Sequence, residues 1–229
     1  MRLRYTGCLA ILAGSLLAVN AASAATTYDG ITFPSGDVSF ADEYLDVIVG
    51  DPAPTAGNFD PAASLGPPND GEAAYSLGQG GFITYRFTDN SLTGSDSDQA
   101  DLHIFEVGPL VEDTFVWISD DNENFLSVGS VTGSTSSIDI DPFLADAGID
   151  PFTQFSYVRL QDDPNENTSN VTYAGADIDA VGAISSAAPV PDNGTVPLPG
   201  TAPLLAMGML GLIAARARCS SPRRGASLS

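Results

Sequence analysis

Apolar positions between residues 26 and 187 come in short runs, many alternating with polar ones, and Gly, Pro, Asp, Asn and Ser punctuate them. No stretch sustains the 3.6-residue period of a long amphipathic helix, so the pattern predicts strands joined by turns. Strands are expected at 31–33, 38–40, 44–49, 81–88, 102–107, 114–119, 125–131, 137–140, 155–161 and 176–184. Within 81–88, Ile83, Tyr85 and Phe87 fall on one face and Thr84 and Arg86 on the other, the alternation of a half-buried strand, which Phe82 breaks. The runs 102–107 and 114–119 are apolar on both faces (Leu102 and Ile104 against Phe105 and Val107; Phe115 and Trp117 against Val116 and Ile118), which places them centrally in a sheet. Turn formers from Asp120 to Asn124 then join 114–119 to 125–131 as a hairpin. Residues 143–148 suit one helical turn, and 51–69, with five prolines, suits an ordered loop. The fold class is all-β, a β-sandwich domain over 26–187.

The two ends of the chain follow a different pattern. Arg2 and Arg4, an apolar run over 7–19 and Ala22-Ser23-Ala24 have the layout of a secretory signal peptide over 1–24. After a linker at 188–199, Val196-Pro-Leu-Pro-Gly200 stiffens the chain and blocks helix from upstream. The uncharged run 201–215 suits a helix of about 22 Å, short of a hydrocarbon core of about 30 Å. Arg216, Arg218, Arg223 and Arg224 close it without any acid, which holds that end in the cytoplasm. Cys8 and Cys219 lie in these end segments, so the part between them folds without thiols.

The ordered triple of Val196-Pro-Leu-Pro199, short apolar helix and basic tail over 196–224 resembles the PEP-CTERM sorting signal of bacterial exported proteins, in a variant with Leu198 where Glu is commonest. The resemblance implies an exosortase-type membrane protease as partner and cleavage near Val196, Pro197, Leu198, Pro199 and Gly200. It also implies transient passage through the inner membrane by 201–215, then release to the cell surface or extracellular matrix of a Gram-negative-type bacterium.

A second resemblance lies in the domain. Ser64-Leu-Gly-Pro-Pro-Asn-Asp-Gly71, Ser76-Leu-Gly-Gln-Gly-Gly-Phe-Ile-Thr-Tyr-Arg-Phe87, Asp101-Leu-His-Ile-Phe-Glu-Val-Gly108, Phe115-Val-Trp-Ile-Ser-Asp120, Tyr157-Val-Arg-Leu160 and Gly175-Ala-Asp-Ile-Asp-Ala-Val181 follow the order of a discoidin-like, galactose-binding-like jelly roll. This implies the fold more strongly than a ligand, because the loops carry no shared sugar-contacting motif.

Charge narrows the function. All 29 acids lie between the two end segments, where Arg86 and Arg159 are the only cations, leaving −27. Such a surface repels nucleic acid and anionic lipid and favours divalent cations or a salty habitat.

The candidate chemistry is sparse. His103 is the only histidine and sits between Leu102 and Ile104, so a structural role is read and no catalytic triad or zinc site is expected. Tyr85, Phe87, Phe115, Trp117, Phe155 and Tyr157 could stack on sugars, but alternating strand positions read as core. Asp96-Ser-Asp98 opens like a calcium loop, and the EF-hand pattern then fails at Ala100 and Val107. Asp177 and Asp179 flank Ile178 and should share a strand face; Asp101, opening the 102–107 strand, and Glu106, near its end, are acids within another of the resembling motifs. Discoidin-like folds often hold a structural calcium near loop ends, so these four form the candidate Ca²⁺ set, with Asp179 and not Asp96 expected to carry it. The bland alternative is that Asp177 and Asp179 face solvent.

The functional reading is a non-catalytic surface or matrix protein, with extracellular polysaccharide as the ligand class it would bind. A secreted glycan-active enzyme using a carboxylate pair stays open as the alternative.

Overall fold

The structure, a computed structural model, describes residues 24–190 apart from 56, 109–111 and 166–170. Ala22, the sorting motif from Val196 to Gly200 and the apolar run 201–215 lie outside the described residues, and Ala24 is exposed at their start.

The strands are β1 (Thr26–Tyr28), β2 (Ile31–Phe33), β3 (Glu43–Ile48), β4 (Tyr75–Ser76), β5 (Phe82–Arg86), β6 (Ser91–Leu92) and β7 (Leu102–Glu106). They continue with β8 (Thr114–Ser119), β9 (Leu126–Val131) and β10 (Thr135–Ile138), then helix α1 (Asp141–Ala147), β11 (Tyr157–Asp162), β12 (Asp177–Ala183) and β13 (Ser186–Ala187). Every pairing among them is antiparallel. A four-stranded sheet, β10-β7-β12-β4, lies against a five-stranded one, β3-β5-β11-β8-β9.

The two sheets share one core. Ile83 and Tyr85 from β5, Val116 and Ile118 from β8, and Val158 and Leu160 from β11 meet Leu102 and Ile104 from β7 and Ile178 and Val181 from β12. Each fully buried branched or aromatic side chain stabilises the fold by about 1.5–3 kcal/mol, so a cysteine-free domain of this size can stand on packing alone. The long loop after β3 is tied to this core. Asp60 accepts from the Ala62 N–H at 3.0 Å to start a 3-10 turn (Pro61–Ser64), and the Tyr85 hydroxyl meets Ser64 Oγ at 2.8 Å.

The outer faces of the two sheets differ. Phe33 and Phe40, carried by the β1–β2 hairpin and the turn that follows it, cover Phe105 and Ala180 on the outer face of the four-stranded sheet and form a second cluster with them. The hairpin is closed by Asp29 and Gly30, both at positive φ (48° and 79°), the geometry that an Asp-Gly turn supplies. A bulge between Ile178 and Ala180 on β12 makes this possible. The extra residue resets the alternation, so Ile178 and Val181 point to the shared core while Ala180 joins the phenylalanines outside. Gly182 completes the fit, because a Cβ there would stand 2.7 Å from Phe33 and 2.8 Å from Phe40.

Two sequence expectations need correction. Residues 38–40, expected as a strand, lie at a 3-10 turn (Gly36–Ser39) that Gly36 opens at φ 58°. Phe40 then leaves it to bridge Gly182 and pack 4.6 Å from the Phe33 ring, a hydrophobic anchor rather than a ladder strand. Residues 177 and 179, for which solvent exposure was the bland alternative, are buried, because the loop after β3 and strand β4 close over them, bringing Asn58 and Ser76 to Asp177 and Asn69 to Asp179.

Candidate functional site

Among the described residues, the outer face of the five-stranded sheet lacks the aromatic cover that the hairpin gives the other. Strand register orders its side chains in rows. Glu43, Arg86, Tyr157 and Ser119 form one, Leu45, Thr84, Arg159, Trp117 and Ser127 the next, and Ile48, Phe82, Gln161, Phe115 and Ser130 the third. Phe115, Trp117 and Tyr157, expected in the core, are half-buried members of this face, whereas Tyr85, Phe87 and Phe155 are interior.

Both cations of the domain stand here. The Arg159 guanidinium lies 3.9 Å from the Phe125 ring centroid and 5.0 Å from that of Phe82, and its Nε donates to Thr84 Oγ1 at 2.9 Å. Asp46 approaches its outer edge at 3.9 Å. Arg86 lies 5.9 Å from the Tyr157 ring and pairs with Glu43 at 3.3 Å. Trp117 and Phe115 sit 6.0 Å apart, inclined at 55°. Phe82, Trp117, Phe125, Arg159 and Gln161 together line an open depression of about 260 Å³.

Chemically, such a surface offers aromatic faces for the C–H side of a pyranose ring, with an arginine and an amide lining the same depression. Phe125 and Gln161 were not singled out from sequence, and Phe82 and Arg159 stood out there only for broken alternation and for charge. The break in alternation at Phe82 was the available signal, since it put an aromatic on the polar face.

The four acids proposed as a calcium set are distributed over separate surroundings. Asp177 accepts from Ser76 Oγ and, at 3.3 Å, from Asn58 Nδ2. Asp179, at the β12 bulge, accepts the Asn69 N–H at 3.2 Å. Glu106 faces Ile178 across the ladder and accepts the Glu112 N–H at 3.2 Å. Burial first, then the Glu112 carboxyl and the charge of Asp177, pushes the Glu106 carboxyl up to about 9, so it is protonated at neutral pH. Among the described residues none of these three joins Asp101 in a group of oxygens close enough to share an ion. Asp101 stands instead beside Asp139 and Asp141. The sequence holds Asp-Ile-Asp twice, at 139–141 and 177–179, and spacing alone does not say which one a strand end will gather. His103 is buried, edge-on to Phe33 at 5.9 Å, and desolvation lowers its pKa, as befits a packing residue.

No family model matches the chain, and no curated protein matches it in sequence. Among solved structures it is similar to CpGH89CBM32-6 produced by Clostridium perfringens, at 12% identity over 64% of this chain and 97% of that one, with a TM-score of 0.37. It is also similar to the C-terminal domain of a chitobiase from Bacteroides fragilis, at 12% identity over 63% of this chain and 95% of that one, with a TM-score of 0.35.

Proposed function

We propose that this is a non-catalytic exported domain of the discoidin-like jelly-roll kind that holds an extracellular polysaccharide against the open face of its five-stranded sheet. The observation that carries the reading is the depression lined by Phe82, Trp117, Phe125, Arg159 and Gln161 on a face left uncovered while the opposite sheet is sealed by phenylalanines. A neutral glycan fits better than an acidic one. The net charge of −27 repels polyanions, and Arg159 is already held by Thr84, Phe125 and Asp46. The −27 also suits life outside the cell in a matrix of polysaccharide and divalent cations.

Trp117 is the single tryptophan, so its fluorescence reports this face directly. Titration with soluble neutral polysaccharides should shift or quench its emission saturably, acidic ones should do so less, and Trp117→Ala should lose retention in affinity electrophoresis. Retention undiminished by Trp117→Ala would overturn the site, and release of reducing ends during the titration would replace the binding reading by the enzymatic one.

The sorting route rests on the two end segments. Fractionation should find a mature form lacking residues 1–24 and the helix 201–215 at the surface or in the matrix. Full-length protein as the stable end product in the inner membrane would sink that part of the reading.

A further inference from the structure

At the far end of β7 from Glu106, three acids distant in sequence meet. Asp101 opens the strand, Asp139 follows β10 and Asp141 begins α1, and a carboxylate oxygen from each lies within 4.8 Å of the others. Two ligands on one Ca²⁺, each at about 2.4 Å, can be no farther apart than about 4.8 Å, so the spacing suits one ion.

The hydrogen bonds leave oxygens over. Asp141 Oδ2 is occupied, accepting the N–H groups of Ser95 and Ser97 at 3.0 and 3.1 Å and the Ser95 hydroxyl at 3.2 Å. Asp139 Oδ1 accepts the Asp141 N–H at 3.0 Å, and Asp101 Oδ2 the Ile140 N–H at 3.0 Å. Asp101 Oδ1 and Asp141 Oδ1 are shut off from solvent and make no hydrogen bond of ordinary geometry, although the Ser185 and Ser95 hydroxyls lie close to Asp101. Asp101 is 0% exposed. An ionised carboxylate buried with an idle oxygen is costly unless a cation or proton meets it. Neither arginine of the domain is available, since both stand on the outer face of the other sheet.

Space for water adjoins two of the three acids, with Asp101 buried behind them. A cavity of about 340 Å³ opens over Asp139 and Asp141 and is rimmed by Asp96, Ser97 and Asp98. The donors are oxygens alone, which excludes the nitrogen and sulfur sets that zinc and copper prefer. Loose geometry and space for several waters favour calcium over magnesium, which demands a tight octahedron.

We propose that Asp101, Asp139 and Asp141 bind one Ca²⁺, with Asp96 and Asp98 at the mouth, and that the ion pins the 95–98 loop and α1 to the start of β7. This site is independent of the polysaccharide reading, because it lies on the four-stranded sheet and its loops. It also replaces the set that spacing on β12 pointed to.

The test uses purified protein, stripped with EDTA and titrated with CaCl₂, read by calorimetry and by melting temperature against NaCl of matched ionic strength. The expected result is one site and a rise of about 5–10 °C at a free Ca²⁺ of about 100 Kd, surviving high NaCl. Asp139→Asn, at a half-exposed position, should keep the fold and lose that rise, as should Asp141→Asn, whereas Asp179→Asn should retain it. Equal stabilisation by CaCl₂ and NaCl would overturn the proposal. So would a calcium response that survives Asp139→Asn but is lost in Asp179→Asn.

Discussion

The guanidinium of Arg159 stands 3.9 Å from the centroid of the Phe125 ring, facing an aromatic on the far side of the β8–β9 hairpin rather than one of the 29 acids of this chain. Its carboxylate contact among the described residues, Asp46 at 3.9 Å, is half exposed and worth little in water. The stack and the Nε bond to Thr84 therefore hold this side chain, and they fix the floor of the depression beside Trp117.

Replacing Arg159 should separate charge from shape. Arg159→Ala should cost about 1–2 kcal/mol in urea unfolding, the range of a partly desolvated cation–π contact plus one hydrogen bond. Arg159→Lys keeps the charge but not the planar stack, and should lose most of the same amount. A lysine variant as stable as the parent would mean that net charge alone matters here.

Stability should fall as pH rises across the neutral range. Glu106 has its carboxyl pushed from an ordinary 4.5 up to about 9 by burial, so between those values the folded state holds a proton that the unfolded chain has released. Its contribution is whole below about pH 4.5 and is lost as pH climbs through about 9, at a slope of at most about 1.4 kcal/mol per unit. Asp177 and Asp179 are shifted upward too, chiefly by burial, and add the same sign. Glu106→Gln cannot ionise and should flatten the decline, becoming the more stable form by pH 8; chemical denaturation at pH 5, 6.5 and 8 reads this directly.

The phenylalanine cover over the four-stranded sheet should be a local unit. Gly182→Ala places a methyl within 2.8 Å of both Phe33 and Phe40, and strain of this kind costs about 1–3 kcal/mol. Hydrogen exchange should then speed up in residues 26–40 while β5, β8 and β11 stay protected. A uniform loss of protection over both sheets would show that the cover and the shared core unfold as one.

Self-repulsion at −27 should make the domain gain melting temperature as NaCl rises toward about 1 M, by screening. Because buried acids are screened less than exposed ones, the calcium response should add to this gain rather than be absorbed by it. A melting temperature unchanged by NaCl would show that the acids are spaced widely enough to repel weakly.

Period-two alternation of apolar residues decided most of this fold from sequence. It placed Ile83, Tyr85 and Phe87 on the core side of β5, marked the hairpin around Asp120 to Asn124, and found one helix near Phe143. Each rests on local geometry, since a strand exposes one face or the other and turn residues set φ where they stand. The two-residue strands β4, β6 and β13 carry no such pattern, and their pairing exists only because distant segments meet. The site was less legible for the same reason. Alternation says that Phe115 and Trp117 share a face, but the side the hairpin covers depends on a bulge at Asp179 that alternation cannot foresee. Likewise the two Asp-Ile-Asp segments are equal in sequence. Asp139 and Asp141 meet Asp101 because β10 pairs with the start of β7, whereas Asp177 and Asp179 take separate partners along β12. Charge and periodicity are properties of the chain, but which carboxylates share one solvent-free corner is a property of strand order, and that is set by packing between segments far apart in sequence.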